Sequence, residues 1–421
     1  MVTDRTTTPR RRTFLFLQGP ITPFFRLVGD GLEARGHRVR RIDLCFGDQL
    51  FWRRPGATHY RGRLAGWPAF IDGYLQREGV TDLILLGEQR AYHRAAIEAA
   101  RRHGIQVVAT DFGYLRPDWI TFEQDGMSGE SRFPRTPAAI EALAARCPRP
   151  ELSRRFRDSF PRQVIWDMAY HLSSSLLRPL YPFYRSHQIY HPILVYLGTG
   201  LHLLRARLGA AGTERAIRAL IGADVPYYLF PLQMQNDFQL RAYSPYPDMR
   251  TPIREVMASF ARAAPAGARL AIKVHPLDPG MVNWRRFCRG EADRLGLGER
   301  VVFIDGGSLE RLLDHARGVV TINSTVGVWT LLAGRPLKTL GDAVYDVPGL
   351  TFQGGLDPFW TEAAAPDAGL RDAFVRALAG TIQLRGVYYN QPGLDAAVAE
   401  AVERLDRNLI NEPLPREETH G

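Results

Sequence analysis

The stretch Leu270-Ala271-Ile272-Lys273-Val274-His275-Pro276 and the later stretch Thr321-Ile322-Asn323-Ser324-Thr325-Val326-Gly327 decide the fold. Each begins as a short apolar run and ends abruptly in polar residues, which predicts a buried strand followed by a loop. The second loop leads into residues 326–332, a predicted helix that Gly334 and Pro336 close. Hydroxyls and backbone N–H groups at the start of a helix bind anions, and phosphate is the usual one. Two such loops in one α/β domain predict a nucleotide or sugar-nucleotide site at the carboxyl edge of a parallel sheet.

Composition and charge indicate a globular protein with an acidic partner. At 421 residues the chain is too long for one ordinary core, so two domains are expected. Cys45, Cys147 and Cys288 are far apart, which predicts a reducing compartment and neither a disulfide framework nor a metal site. The net charge of +10 comes almost wholly from arginine, because Lys273 and Lys338 are the only lysines. Such a charge favours an anionic lipid surface, a nucleotide sugar or nucleic acid.

Neither a secretory signal nor a membrane-spanning helix is predicted. The apolar residues 14–17 follow a basic tail but are too few for a signal peptide. Residues 189–204 are interrupted by Pro192, Gly198 and Gly200, and they fall short of the roughly 20 apolar residues that a spanning helix needs. A cytoplasmic location is therefore expected.

Strands alternate with helices along most of the chain. The predicted strands cover residues 13–17, 39–44, 80–87 and 105–109, and the predicted helices between them cover residues 24–35 and 91–102. The same pattern recurs over residues 227–340. This alternation predicts parallel α/β sheets, and hence two Rossmann-like domains. Residues 365–405 are predicted to form C-terminal helices that return to brace the first domain.

Residues 151–210 differ from the rest of the chain. They hold eight arginines, three acids, nine aromatic residues and four histidines. Basic and aromatic residues mixed at helical density suit a helical insertion that lies on an anionic membrane. A helical bundle between domains, with a solvated basic face, is the alternative.

The predicted domain plan of the whole chain is a disordered tail at 1–12, an N-terminal domain at 13–150, a helical insertion or linker at 151–220, a C-terminal domain at 221–360, and helices with a tail at 361–421.

Two polar groups follow predicted strands in the second half of the chain. Gln233 and Asp237 come where a strand ends, which is where α/β proteins place ligands. Asp237 is a candidate nucleophile, general base or helix cap, and the sequence alone favours the cap.

Lys273 and His275 form the second polar group. Alternation along the strand predicts that both side chains lie on one face, and two cations at a strand end indicate an anion. The alternatives are a core histidine beside Pro276 and an ion pair with Asp278.

The N-terminal half offers polar residues at three strand-to-loop turns. Gln18 and Gly19 lie in the first turn, Glu88 in the second and Asp111 in the third. Glu88 and Asp111 are the acids that could act as a base, although Glu88 could equally cap the helix that follows. Arg116 is suited to bind a carboxylate or a phosphate.

Together these segments resemble the bacterial capsule polysaccharide synthesis and export proteins of the KpsS-type β-Kdo transferase family. The resemblance covers about residues 13–360, and its motifs are specific jointly rather than singly. The segments that carry it are Phe16-Leu17-Gln18-Gly19-Pro20 with Pro23-Phe24-Phe25, Gly36-His37-Arg38-Val39, Gly113-Tyr114-Leu115-Arg116-Pro117-Asp118-Trp119-Ile120-Thr121, Pro231-Leu232-Gln233 with Asp237, Lys273-Val274-His275-Pro276, and Asn323-Ser324-Thr325-Val326-Gly327.

The resemblance implies an α/β protein of GT-B-like fold, with two Rossmann-like domains, that acts as a retaining glycosyltransferase with CMP-β-Kdo as donor and no cofactor. It implies transfer of the first Kdo to a lysophosphatidylglycerol acceptor at the inner face of the cytoplasmic membrane, which starts the poly-Kdo linker of the capsule. The implied location is peripheral to that membrane. The implied partners are the polymerising Kdo transferase and the capsule export complex.

The resemblance also implies roles for individual residues. On the donor side, Lys273, His275 and Pro276 match the motif that holds CMP, Asn323, Ser324 and Thr325 match a second phosphate loop, and Gln233 and Asp237 match the catalytic strand end. In that role the Asp237 carboxylate attacks the anomeric carbon. Apart from the resemblance, the chemistry needs a base from the N-terminal domain to deprotonate the acceptor, for which Asp111 or Glu88 is expected, and Gln18, Gly19 and Arg116 are expected on the acceptor side.

Elementary chemistry agrees with these roles. CMP is already a good leaving group, so a cationic cradle substitutes for a metal, and the sequence has no Asp-x-Asp metal motif. Retention requires two displacements, for which a carboxylate nucleophile is suited.

The alternative functions are a transferase for another nucleotide sugar, and a non-catalytic protein that binds the capsule or its lipid anchor for export. Nucleic acid is not an expected partner, because no helix-turn-helix, zinc or stacking motif is present.

Overall fold

The computed structural model describes residues 11–186, 188, 190–223, 225–235 and 237–415. The chain forms two compact α/β units. The first is built from the chain up to Phe133, from Arg149–His187 and from Leu378 onward, and the second from Pro134–Pro148 and Gln188–Ala377. The chain therefore returns to its first unit at the end.

In the described residues the strands are β1 (Thr13–Phe16), β2 (Arg38–Asp43), β3 (Thr58–His59), β4 (Asp82–Leu86), β5 (Gln106–Phe112), β6 (Trp119–Gln124), β7 (Tyr227–Pro231), β8 (Arg269–Lys273), β9 (Val301–Ile304), β10 (Gly318–Thr321), β11 (Leu337–Thr339) and β12 (Gln383–Arg385). The α-helices are α1 (Phe24–Ala34), α2 (Phe46–Trp52), α3 (Trp67–Arg77), α4 (Ala91–Arg102), α5 (Pro137–Ala145), α6 (Phe160–Leu176), α7 (Pro192–Leu208), α8 (Ala210–Ile221), α9 (Phe238–Ala242), α10 (Arg250–Ala263), α11 (Trp284–Arg294), α12 (Leu309–His315), α13 (Val326–Leu332), α14 (Leu356–Glu362), α15 (Ala368–Thr381) and α16 (Gly393–Asp406).

The first sheet has the strand order β12-β6-β5-β4-β1-β2-β3. Its strands are parallel, except that β6 runs antiparallel to both β5 and β12. The order reverses between β4 and β1, so the chain leaves these two neighbours in opposite directions. Backbone bonds continue past the end of β1, with the Leu86 amide at the end of β4 donating to the Gln18 carbonyl oxygen at 2.9 Å. This pairing brings the turns after β1 and β4 side by side at the carboxyl edge.

The second sheet has the order β11-β10-β7-β8-β9 and is parallel throughout. Its order reverses between β7 and β10, and ligands of open α/β sheets bind at such a reversal. Two Rossmann-like units with mainly parallel sheets confirm the predicted fold class. The predicted helix at residues 326–332 is α13, and Gly334 ends it with a left-handed φ of 65°.

Strand β1 shows how both faces of the first sheet are covered. Phe14 and Phe16 pack with residues of α1 and α16, whereas Leu15 and Leu17 pack on the other face with residues of α3 and α4. All four side chains are fully buried. A strand with helices on both faces reads as a continuous apolar run, which is why the sequence predicts it so clearly.

Residues 151–220 are largely helical, as predicted, but they divide between the two units instead of forming one insertion. Helix α6 belongs to the first unit, and α7 and α8 belong to the second. Helix α6 lies against α2, where Gly47 gives room for Tyr170 and the Gly47 amide donates to the Ser174 hydroxyl at 3.0 Å. In the described part of the chain, no helix combines the length and the apolar character that crossing a bilayer requires.

A buried ionic cluster attaches α2 and α6 to the first sheet. The Arg41 guanidinium, on β2, donates to Asp43 at 2.8 Å and lies 3.7 Å from the Asp48 carboxylate. Asp48 also accepts bonds from the Leu44 amide at 2.8 Å and from the Tyr170 hydroxyl at 3.0 Å. One carboxylate thus joins a strand, a loop and two helices.

We expect Asp48→Ala to lower the free energy of unfolding by about 3–5 kcal/mol, because Arg41 would stay buried with only part of its compensating charge. Urea unfolding followed by circular dichroism measures the change. Asp30→Ala is the matched control, since Asp30 is 46% exposed and its ion pairs with Arg26 and Arg54 should each contribute less than about 1 kcal/mol. Equal losses in the two variants would contradict a special role for the buried cluster.

Candidate functional site

A pair of side-chain amides lies where the strand order of the second sheet reverses. Gln233 follows β7 and Asn323 follows β10, and both are buried. The Gln233 side-chain amide donates to Asn323 Oδ1 at 2.9 Å, and the Asn323 backbone amide donates to Gln233 Oε1 at 3.2 Å. These reciprocal bonds close the gap between the two loops. The structure therefore brings together two residues that the sequence assigns to the donor side.

Asn323 also fixes the short helix that follows Asp237. Its side-chain amide donates to the carbonyl oxygens of Gln239 at 2.8 Å and Tyr243 at 3.2 Å, which lie within and just after α9. Asp237 is the N-cap of this helix, and its carboxylate accepts the Gln239 amide at 2.9 Å. The cap that the sequence favours is present. The same contacts hold the carboxylate at the carboxyl edge of the sheet, and its predicted role as nucleophile stays a prediction.

Lys273 is the last residue of β8, and its ammonium group is buried. Its Nζ donates to the Gly306 carbonyl oxygen, in the loop after β9, at 2.6 Å. Burial lowers the pKa of Lys273, and the negative charge of Asp305 acts in the opposite direction. A bound phosphate would likewise favour the charged form of the lysine. An ammonium has three donors, so the bond to Gly306 leaves capacity for an anion.

His275 lies two residues beyond β8 and is half-buried. Its Nδ1 accepts a bond from the Leu277 amide at 3.1 Å, which places the ring proton of the neutral imidazole on Nε2. Asp278, three residues beyond His275, is buried and holds the loop. Its carboxylate accepts the Gly280 amide at 2.8 Å and the Trp284 indole N–H at 3.1 Å. Pro276, between these residues, is exposed.

The loop of Ser324 and Thr325 is held rigidly before α13. The Ser324 hydroxyl accepts the Val326 amide at 3.3 Å, and the Gly327 amide donates to the Ser324 carbonyl oxygen at 2.9 Å. The buried Tyr345 ring lies so close to Gly327 that a Cβ there would overlap with it. Helix α13 spans only two turns, and several of its first amides are engaged within the loop. Phosphate binding by this loop therefore stays a prediction that depends on its hydroxyl groups.

We expect Gln233→Ala and Asn323→Ala each to lower the free energy of unfolding by about 1–3 kcal/mol, because each leaves a buried amide without its partner. The double variant should lose less than the sum of the two, since the residues act as a pair. Urea unfolding of the three variants measures the coupling. Gln391→Ala, at an exposed glutamine, is the control and should change stability by less than about 0.5 kcal/mol. Simple additivity would show that the pair is not a unit.

At the edge of the first sheet, the Gln18 side chain is directed into the protein. Its amide nitrogen lies 3.2 Å from both Asp48 oxygens, 3.0 Å from the Tyr170 hydroxyl and 3.2 Å from the Tyr184 hydroxyl. Gly19 follows, and a Cβ there would overlap with the Phe25 ring. These contacts make Gln18 a residue that positions the turn, and the predicted contact with an acceptor is untested.

The two candidate bases lie at neighbouring strand ends. Glu88 follows β4 and is buried, whereas Asp111 is in the last part of β5 and is partly exposed. Burial raises the pKa of Asp111, while the Phe112 amide and the charges of Arg116 and Arg90 act in the opposite direction. A carboxylate with a raised pKa is suited to general acid–base work near neutral pH. Arg116 is exposed, and its guanidinium lies 5.1 Å from the centre of the Phe112 ring.

Several residues of these edges were not singled out by the sequence. His93, on α4, is fully buried and bonds through Nδ1 to the Gly87 carbonyl oxygen at 2.8 Å, so it supports the turn that carries Glu88. Burial lowers the pKa of His93 to about 3, so the ring is neutral. Tyr170 and Tyr184 reach Gln18 from more than 150 residues away. No local pattern indicates such a contact.

The raised pKa of Asp111 makes stability depend on pH with a definite sign. The folded protein favours the protonated carboxyl, so this contribution is present at acidic pH and is lost as pH rises from the unfolded pKa of about 3.9 through the raised folded value. We expect Asp111→Asn, which is neutral at every pH, to be at least as stable as the wild type at pH 7. The difference in melting temperature should shrink as the pH falls toward 4. A variant that is less stable than the wild type at pH 7 would contradict this assignment.

Comparison with known proteins shows that the chain is similar to proteins of capsule polysaccharide biosynthesis, export and modification. The chain matches the family model described as capsule polysaccharide biosynthesis protein over residues 81–389. It is similar to the capsule polysaccharide export protein KpsS of Escherichia coli, with 34% identity over 379 residues, which are 90% of this chain and 97% of that protein. It is similar to the capsule polysaccharide modification protein LipB of Neisseria meningitidis serogroup B, with 30% identity over 384 residues, which are 90% of this chain and 91% of that protein.

Among solved structures, the chain is similar to the β-Kdo 2,7 transferase of Thermosulfurimonas dismutans KpsC. The TM-score is 0.44 and the sequence identity is 14%, and the match covers 93% of this chain and 99% of that chain.

Proposed function

The chain belongs to the family of capsule polysaccharide biosynthesis proteins, and on that premise we propose that it is a retaining β-Kdo glycosyltransferase. In this proposal it transfers the first Kdo residue from CMP-β-Kdo to a lysophosphatidylglycerol acceptor, which starts the poly-Kdo linker of the capsule. The observation that carries the proposal is a carboxylate, Asp237, held at the carboxyl edge of a parallel sheet whose neighbouring strand ends at Lys273, with His275 two residues beyond it. No cofactor is required by this chemistry.

The first step would be attack of the Asp237 carboxylate on the anomeric carbon of Kdo. A bond forms between that carbon and a carboxylate oxygen, and the bond to the CMP phosphate oxygen breaks, so that CMP leaves with the electron pair. Lys273 and the Nε2–H of His275 are suited to stabilise the charge that develops on the phosphate. Ser324 and Thr325 would add hydroxyl donors. The product of this step is a glycosyl ester with inverted configuration.

The second step would be attack of the acceptor hydroxyl on the glycosyl ester. A base removes the hydroxyl proton, the new glycosidic bond forms, and Asp237 leaves as a carboxylate, so two inversions give retention. We favour Asp111 over Glu88 as the base, because Asp111 is partly exposed and burial raises its pKa. Arg116 would bind the Kdo carboxylate or the acceptor phosphate, and Gln18 and Gly19 would shape the turn beside them.

The acceptor in this proposal is an anionic lysophospholipid, so the protein would work at the inner face of the cytoplasmic membrane as a peripheral protein. The exposed apolar side chains support this location. In the described part of the chain, all of the large ones except Met281 and Trp329 lie within residues 152–208. Monomeric proteins rarely expose such a concentration unless it contacts a membrane or a partner. The polymerising Kdo transferase and the capsule export complex are the proposed protein partners.

Asp237→Asn separates the catalytic role from the structural one. Asparagine caps helices as well as aspartate does, so the variant should keep its stability, whereas it loses the nucleophilic carboxylate. We expect the rate of Kdo transfer from CMP-Kdo, generated in situ, to a fluorescent lysophosphatidylglycerol analogue to fall by roughly a thousandfold or more. Mass spectrometry of the product measures how many Kdo residues are added, and one is expected.

Asp237→Ala is the companion variant, because it removes both the cap and the carboxylate and should lose about 1 kcal/mol of stability as well. Full activity of Asp237→Asn would limit Asp237 to the cap and remove it from the mechanism. Absence of transfer by the wild type with CMP-Kdo, but transfer with another nucleotide sugar, would change the donor. Acceptor binding without turnover of any donor would favour a non-catalytic carrier.

A further inference from the structure

Helix α7 presents two different faces. Its inner face, which includes Gly198 and His202, is partly buried. The opposite face carries five leucines that we call the leucine face, and each of them is more than half exposed. Its members are Leu194, Leu197, Leu201, Leu204 and Leu208. They recur at alternating intervals of three and four residues, so they form one stripe about 21 Å long.

The inner face of α7 lies on both loops that follow β8 and β9. A Cβ on Gly198 would overlap with the Pro279 carbonyl oxygen, so the helix and the loop after β8 are in backbone contact there. His202 Nε2 lies 3.4 Å from the Asp305 carboxylate, in the loop after β9. Asp305 is the acid whose charge acts on Lys273. The helix thus covers the loops of the candidate donor edge while its leucines face outward.

The charges on α7 indicate what the leucine face contacts. The helix contains no acidic residue, and Arg205 and Arg207 are both exposed on its last turn, one on each side of the leucine stripe. Aliphatic residues bordered by arginines are typical of a helix that lies in the interface of an anionic bilayer. Protein interfaces depend instead on Trp, Tyr and Arg anchors, and leucine is under-represented among them.

A second copy of the chain fits this face less well. The leucine spacing is compatible with a coiled coil, but the positions that flank the stripe hold Gly198, Gly200, Arg205 and Arg207. Such a pair of helices would bring like charges together and offer no acid to pair with them. Two glycines within the helix also weaken it as an isolated coiled-coil strand.

We propose that the leucine face of α7 binds anionic phospholipid bilayers, with the helix axis in the plane of the interface. The inference deepens the proposed function, since a lipid acceptor must be met at a bilayer, but it depends only on α7. Arg205 and Arg207 contact the lipid phosphates, and the leucines enter the boundary between headgroups and acyl chains. Because the inner face holds the loops after β8 and β9, docking of α7 places those loops next to the membrane surface.

Vesicle flotation of the purified full-length protein tests the proposal. We expect binding to vesicles of phosphatidylglycerol and phosphatidylcholine, and much weaker binding to phosphatidylcholine alone. Leu197→Gln/Leu204→Gln should weaken binding about a hundredfold, because the variant loses the hydrophobic free energy gained when two leucine side chains move from water into the bilayer interface. The matched control is Leu152→Gln/Leu203→Gln, which alters two exposed leucines outside the stripe and should change binding by less than about threefold. Circular dichroism checks that each variant is folded.

Arg205→Glu/Arg207→Glu is a second variant that keeps every leucine, and we expect at least about tenfold weaker binding to the anionic vesicles. The proposal is overturned if the wild type does not float with anionic vesicles, or if Leu197→Gln/Leu204→Gln floats as well as the wild type. If the wild type is a dimer and Leu197→Gln/Leu204→Gln is a monomer, the leucine face binds a second copy of the chain instead of a membrane. The flotation assay contains no nucleotide sugar, so a protein that floats but transfers no Kdo to the fluorescent lysophosphatidylglycerol analogue contradicts only the proposed function.

Discussion

The second unit depends on one pairing of neutral amides at the reversal of its strand order. Parallel strands that part at such a point leave a gap between their loops, and a buried gap requires groups that can both donate and accept. Gln233 and Asn323 meet that requirement without the desolvation cost of a charged pair. Through Asn323 the same pairing extends to α9, and so to the position of Asp237. Asn323, which is far from Asp237 in the sequence, thus helps to orient its carboxylate.

In both units, polar residues follow the strand ends at the carboxyl edge of the sheet, but these residues make different contacts in the two units. In the second unit, the polar strand ends offer a carboxylate with Lys273 and His275, which suits the departure of a phosphate. In the first unit, Gln18 turns inward to the Asp48 cluster, and Asp111 and Arg116 are the groups with access to solvent. That arrangement suits proton removal and anion binding. Each edge therefore offers one carboxylate together with at least one basic side chain.

The sequence predicts several of the central strands and three of the helices of the two units, because their patterns are local. Residues 14–17 are apolar on both faces of the sheet, and residues 326–332 are followed by Gly334 in the left-handed region, so the sequence predicts both elements correctly. The cap at Asp237 was also accessible, since a carboxylate before a helix is a local signal. The division of residues 151–220 between the two units could not be predicted from local patterns. It depends on contacts of Tyr170 and Tyr184 with Gln18, which lies far away in the sequence.

The scarcity of lysine has a practical consequence for chemical labelling. Lys273 and Lys338 are the only side-chain amines of the protein, and burial lowers the pKa of both, against the charges of Asp305 and Asp346 respectively. A lowered pKa increases the fraction of uncharged amine, which is the form that acylating reagents attack, while burial slows the approach of the reagent. Acylation of Lys273, distinguished from that of Lys338 by the mass of the labelled peptide, would therefore report on occupancy of a single strand end, in a chain whose other basic residues are arginines and histidines.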